Sequence, residues 1–158
     1  MDKRSFMNLL IIFIAKYLIA VPVLVLLAYL VFSRGKVLTQ LMWLTAVSLP
    51  LAYLLARLSS VLYYDPRPFI EGHFTPLIAH AADNGFPSDH TLLAATLATI
   101  ILYVDNRAGT LLWLIAVAIG VSRIFAGVHH TVDILASMII AVAAVVLAQY
   151  SVSKVRRA

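Results

Sequence analysis

Apolar residues along this chain fall into long blocks separated by short polar breaks. Residues 6–32 carry one charge, Lys16, and one proline, Pro22. This run fits one long tilted helix, or an interfacial turn or two leading into a span that begins near Ala15, with Lys16 snorkelling. Residues 33–36, Ser-Arg-Gly-Lys, form a basic turn punctuated by glycine, and residues 37–62 give a second span with Arg57 near its far end. Residues 63–87 are the one long polar stretch, where Pro66, Pro68, Pro76 and Pro87 prevent a continuous helix. Ser88 is a natural N-cap for a helix over 89–104. Its sixteen residues rise about 24 Å, short of a hydrocarbon core of about 30 Å, so the corner at 88–90 should sit inside the headgroup plane. Residues 105–109 turn the chain, 110–125 recross, and Gly127 ends that helix. Thr131 is placed to cap a last span over 131–151, and Lys154, Arg156 and Arg157 close the chain. The pattern predicts an all-α integral membrane protein, a single domain over 1–158 with a bundle of about five transmembrane helices. No internal repeat appears.

Composition agrees with the pattern. The chain is 63% hydrophobic and 12% charged, with a mean hydropathy of +0.97, against about 45–50% apolar residues in soluble domains. It has no cysteine, which excludes a disulfide framework, a thiolate nucleophile and a cysteine-ligated metal or iron–sulfur site. The initial apolar run is too long for a signal-peptide core and is read as retained. The formal charge of +5 reflects topology and anionic ligands, since no basic patch interleaved with aromatics suggests nucleic acid. Five crossings place Arg34, Lys36, Arg107, Lys154, Arg156 and Arg157 at one face. Lys3, Arg4 and the arginines 57, 67 and 123 fall at the other. The positive-inside rule then puts the C-terminus in the cytoplasm and the polar cluster on the periplasmic or extracellular side of a bacterial cytoplasmic membrane.

Ionisable groups among apolar runs are costly unless paired, so they mark function. Three clusters fall at that one face: Tyr64-Asp65-Pro66-Arg67-Pro68, Phe86-Pro87-Ser88-Asp89-His90, and the stretch SRIFAGVHHTVD over 122–133. In the last, Arg123 precedes His129 by six residues and Asp133 follows it by four. An imidazole at a helix mouth, oriented by a carboxylate and facing a guanidinium, suits a phosphate. Two such histidines with two arginines are what phosphoryl transfer through a covalent intermediate requires. One His attacks phosphorus, an acid protonates the leaving oxygen, and cations hold the equatorial oxygens. Asp133 would fix the tautomer of His129. Zinc is the chemical rival, with His90, His129, His130 and Asp133 as donors. The two arginines weigh against it, because they repel a dication. His130 is expected to shape the pocket and His73 and His80 to be solvated or structural, with His80, Asp83 and Asn84 lining the entrance as the alternative.

These motifs resemble the type 2 phosphatidic acid phosphatase superfamily. Its third motif, SR-x5-H-x3-D, is met by Ser122, Arg123, His129 and Asp133. Its second, PSGH, appears as Pro87-Ser88-Asp89-His90 with Asp for Gly. Its first, K-x6-RP, is met at Arg67-Pro68, while Ser60 stands where the lysine belongs and Arg57 lies one helical turn earlier. The resemblance covers about residues 57–135, and within the superfamily the wording is most similar to bacterial undecaprenyl-diphosphate phosphatases. It implies that His129 is the nucleophile, Asp133 its partner and His90 the acid. It also implies that Arg67, Ser88 and Arg123 bind phosphate, with Arg57 a candidate fourth, and that catalysis needs no metal or other cofactor. The expected substrate is undecaprenyl diphosphate, cleaved to the monophosphate carrier and inorganic phosphate. Other lipid phosphates (phosphatidylglycerophosphate, phosphatidic acid, a lipid A diphosphate), transfer to a lipid acceptor, and a non-catalytic lipid-diphosphate binding or transport module are the alternatives.

Overall fold

The computed structural model describes residues 2–155. They form seven helices: α1 (Lys3–Tyr17), α2 (Ala20–Phe32), α3 (Gly35–Leu62), α4 (Pro68–Glu71), α5 (Asp89–Leu102), α6 (Asn106–Phe125) and α7 (Thr131–Val155). Arg156 and Arg157 of the C-terminal basic cluster lie outside the described residues. Four stretches are long and apolar enough to cross a membrane: Lys3–Phe32, Gly35–Leu62, Asn106–Phe125 and Thr131–Ser151. The fifth, α5, is shorter.

The first apolar run takes a form between the two expected. It is one helical stretch of 30 residues, broken at Leu18 and Ile19 because Pro22 has no N–H for the Leu18 carbonyl. Val21 N donates to that carbonyl instead, at 3.0 Å. The two halves have different neighbours. Ala15, with Ile11 and Ile12 beside it, packs against Ile78, Ala126 and Val128, whereas Leu26 packs with Leu97, Ile100, Ile101 and Leu112.

Helix α5 is the centre of the bundle, touching α2, α3, α6 and α7. Ten of its 14 residues are buried, which is why a helix of about 21 Å suffices here: longer neighbours surround it. Its buried Thr96 and Thr99 hydroxyls donate to the carbonyls of Leu92 and Ala95, both at 2.7 Å, so neither is left unpaired among apolar side chains. Gly109 lets α6 approach, since a Cβ there would stand 2.4 Å from Leu102 Cα. At that end Asp105 caps α6 by accepting from Arg107 N and Ala108 N, and Tyr29 donates to it at 2.7 Å. The expected turn at 105–109 is therefore one residue of cap followed by helix.

At the other end of α5, the irregular segment between α3 and α5 folds over the bundle. It is tied by a single antiparallel bridge, Pro66 to Asn84, and by Leu77 N donating to Ala126 O at 3.0 Å.

Candidate active site

The site lies under that segment, where α3, α5, α6 and α7 present their ends. Arg57, Arg67, His90, Arg123 and His129, five residues from four separate stretches, line one cavity of about 360 Å³. His80, Asp83 and Asn84 line it too, so His80 takes the alternative place at the entrance and not that of a solvated loop residue; His73 is not among the lining residues.

His129 follows the turn made by Gly127, whose φ is +78°, and is 2% exposed. Its Nδ1 lies 3.1 Å from Asp133 Oδ2. Its Nε2 lies 3.4 Å from both Arg67 Nη1 and Arg123 Nη2. With the proton on Nδ1, donated to Asp133, Nε2 keeps its lone pair and accepts from the two guanidinium groups. Burial pushes the His129 imidazole below its ordinary pKa. The hydrogen bond to Asp133 pulls the other way, and the charges of Arg123 and Arg67 add to the lowering. The ring is thus held neutral at neutral pH.

Thr131 does not cap α7; it is the first helical residue. Asp133 does the capping, because its Oδ2 also accepts from His130 N at 2.9 Å. One buried carboxylate oxygen therefore closes the helix end and orients the imidazole.

The arginines are held differently. Arg67 donates to Asp83 Oδ1 at 2.8 Å, to Val128 O at 2.9 Å and to Asn84 O at 3.3 Å, which fixes its plane. Although burial opposes ionisation, Arg67 holds the Asp83 carboxyl below its usual pKa. Arg123 is 3% exposed and donates to Ala15 O at 3.3 Å. Its Nε is buried with no hydrogen-bond partner, and no carboxylate pairs with it among the described residues. A buried guanidinium without a counter-ion is an anion site in waiting.

Ser88 occupies the N-cap position of α5 but makes no side-chain cap bond. It is fully buried; its hydroxyl accepts from Thr91 at 3.1 Å, and its carbonyl accepts from Ser137 at 3.0 Å. It is not among the residues that line the cavity, and its bond to Ser137 joins α5 to α7. Arg57 reaches the cavity rim, with Nη2 4.0 Å from Asp89 Oδ2.

His130 turns away from His129. Its Nδ1 is 3.2 Å from Asp65 Oδ2 and its Nε2 is 3.3 Å from Glu71 Oε2. The zinc set His90, His129, His130 and Asp133 does not assemble. The cluster with donor atoms close enough for a metal ion is Asp65, His130 and Asp133, all within 4.8 Å. Burial and then the Asp133 charge raise the Asp65 pKa, while His130 opposes the rise.

Two structural roles in the site were not legible in the sequence, that of Asn84, expected there only as an entrance residue, and that of Gly85. Asn84 brackets the site: its Oδ1 accepts from Asp65 N and Phe86 N, both at 3.0 Å, and its Nδ2 donates to Ser60 O, Ser60 Oγ and Tyr63 O. Ser60, at the motif's lysine position, thus serves the loop. Gly85 is the second, for a Cβ there would lie 3.2 Å from both Asp133 Oδ2 and Asp65 O. The signal available was the Asn-Gly pair next to the Phe-Pro-Ser-Asp-His motif, which reads only as a turn.

A helical membrane bundle whose buried arginines converge on a carboxylate-backed histidine defines a protein built to handle phosphate at a membrane. The comparisons with known proteins agree. Residues 40–157 match the PAP2 superfamily, and the chain belongs to that family: it is a multi-pass membrane lipid phosphate phosphatase. It is 33% identical over 142 residues to the undecaprenyl-diphosphatase BcrC of Bacillus subtilis, covering 88% of this chain and 72% of that one. The crystal structure of LpxE from Aquifex aeolicus superposes with a TM-score of 0.74 at 23% identity, covering 90% of this chain and 86% of that chain. A PAP2-type phosphatidylglycerolphosphate phosphatase from Bacillus subtilis gives 0.65 at 20% identity, with coverages of 94% and 78%.

Proposed function

We propose that this protein hydrolyses the terminal phosphate of undecaprenyl diphosphate, releasing undecaprenyl phosphate and inorganic phosphate through a phosphohistidine at His129. The observation that carries the reading is the meeting of two guanidinium groups at one nitrogen, His129 Nε2, with Asp133 behind the other. A terminal phosphoryl group seated there would take the arginine contacts on its equatorial oxygens.

The Nε2 lone pair attacks phosphorus, and the bond to the bridging oxygen breaks. His90, on the same cavity wall, gives a proton to the departing oxygen. It then takes one from water, which attacks the phosphohistidine and breaks its P–N bond. Asp133 stabilises the charge that the ring gains in the first step. Arg67 and Arg123 hold the phosphoryl group throughout, and Ser88 contributes by fixing the mouth of α5 against α7. The choice of substrate rests on the resemblance to the undecaprenyl-diphosphatase from Bacillus subtilis and on the apolar bundle around the site. The charge asymmetry favours a site facing away from the cytoplasm of a bacterial cytoplasmic membrane.

The test is phosphate release from undecaprenyl diphosphate by purified protein in detergent, with and without EDTA, for wild type and His129→Ala. Turnover that survives EDTA and drops about a thousandfold or more in the variant is expected. Loss of activity in EDTA would bring the metal reading forward. Tight lipid binding without any phosphate release would favour a binding module.

A further inference from the structure

Two positions depart from the family motifs, Ser60 for lysine and Asp89 for glycine. Ser60 is engaged with Asn84, so it does not replace the lysine. Arg57, three residues before it and on the same side of α3, brings a cation to the cavity that both residues line. Its guanidinium lies 4.0 Å from Asp89, with the two side chains 55% and 72% exposed. A pair that long and that open is easily exchanged for another anion.

The pair borders two cavities. One is the polar cavity that contains His129 and His90. The other is an apolar groove of about 270 Å³ between α3 and α5, lined by Leu49, Ala52, Tyr53, Leu92, Leu93 and Thr96. Arg57 and Asp89 line both. The Arg57 guanidinium also sits 5.0 Å above the Tyr53 ring, which keeps it at the mouth of the groove.

We infer that Arg57 and Asp89 form the subsite for the second phosphate of a lipid diphosphate, the one next to the hydrocarbon chain, and that the chain's first units enter the apolar groove. The inference rests on the His129 reading above. With the terminal phosphorus at His129, the second phosphate is one bridging oxygen away, and its hydrocarbon must leave by an apolar route. The groove that shares Arg57 and Asp89 with the site supplies that route. On binding, the second phosphate displaces Asp89 from Arg57. When the bridging P–O bond breaks, its electron pair goes to an oxygen of the lipid phosphate, beside the Arg57 charge. A single-phosphate lipid attacked at His129 places no anion there. Asp89 is the resting counter-ion of Arg57, and this is the use made of a residue that would otherwise repel substrate.

The experiment measures kcat/KM in detergent for wild type, Arg57→Gln, Arg57→Lys and Asp89→Asn. Farnesyl diphosphate is the two-phosphate probe; farnesyl phosphate and phosphatidic acid are the single-phosphate probes. Arg57→Gln should lower the preference for diphosphate over single phosphate tenfold or more, Arg57→Lys should restore at least a third of it, and Asp89→Asn should lower KM for the diphosphate. A wild type that cleaves only the diphosphate meets the expectation if Arg57→Gln loses tenfold and Arg57→Lys does not. An equal loss on both kinds of probe, or no change on either, overturns the subsite. If wild type cleaves other lipid phosphates and not the diphosphate, the proposed function falls and this inference with it. Wild-type turnover with an unchanged preference removes this inference alone.

Discussion

Replacing Asp133 by asparagine separates two things that the carboxylate does for His129: it fixes the tautomer and it supplies a charge. An amide that presented its NH₂ to Nδ1 would force the ring proton onto Nε2 and remove the nucleophile, a loss of about ten-thousandfold in serine-protease triads. The structure forbids that orientation. Asp133 Oδ2 accepts from two donors, His129 Nδ1 at 3.1 Å and the backbone N–H of His130 at 2.9 Å. An asparagine must therefore keep its oxygen at that position, and the tautomer survives. What is lost is the charge. A full negative charge about 4 Å from the ring is worth about 4 kcal/mol at an effective dielectric of 20. The amide dipole recovers part of this, so about 3 kcal/mol of transition-state stabilisation disappears, a fall of about 150-fold in kcat. Asp133→Asn also removes the like charge beside Asp65, which burial and Asp133 push upward in pKa. The melting temperature at pH 7.5 should hold or rise. The assay is phosphate release under saturating substrate, with thermal unfolding in the same detergent. A loss of ten-thousandfold or more in a variant of normal stability would refute the argument that the His130 amide locks the side chain.

Two further outcomes follow from the same geometry. Asn84→Ala deprives Asp65 N and Phe86 N of their acceptor, and at about 1–3 kcal/mol for each donor left unsatisfied the variant should melt several degrees lower, with activity falling in parallel; an unchanged melting curve would show that water replaces the amide. The pH profile of kcat/KM should keep its acidic limb below 6.5. The sign follows from the lowered His129 pKa: burial, Arg123 and Arg67 disfavour the protonated ring against the pull of Asp133, so the neutral nucleophile persists as pH falls and is lost only beneath the ordinary histidine value. A limb centred above 6.5 would contradict that balance or assign the limb to another group.

The membrane-length helices were legible in the sequence, because runs of apolar residues long enough to span a bilayer and breaks made by Pro, Gly and charge are local properties. The candidate chemistry was legible for a related reason: Arg123, His129 and Asp133 lie within one short stretch, so their spacing nearly fixes their relation. That the imidazole of His129 would be backed by Asp133 was legible before any fold was known, and the two stand 3.1 Å apart. Tertiary structure alone decided which partners come from elsewhere in the chain. The second guanidinium at Nε2 belongs to Arg67, 62 residues from His129, and the carbonyl that holds Arg123 belongs to Ala15, 108 residues away. Ser88 and Thr131 looked like caps by residue type, but capping depends on which acceptor reaches the helix end, and at α7 that is Asp133. The break at Leu18 and Ile19 was likewise undecided in one dimension: Pro22 makes it possible, and the separate packing of Ala15 and Leu26 fixes where each half lies. The departures at Ser60 and Asp89 were visible as letters only. Their meaning depends on Asn84 occupying the one and Arg57 facing the other, contacts across the bundle that no local pattern encodes.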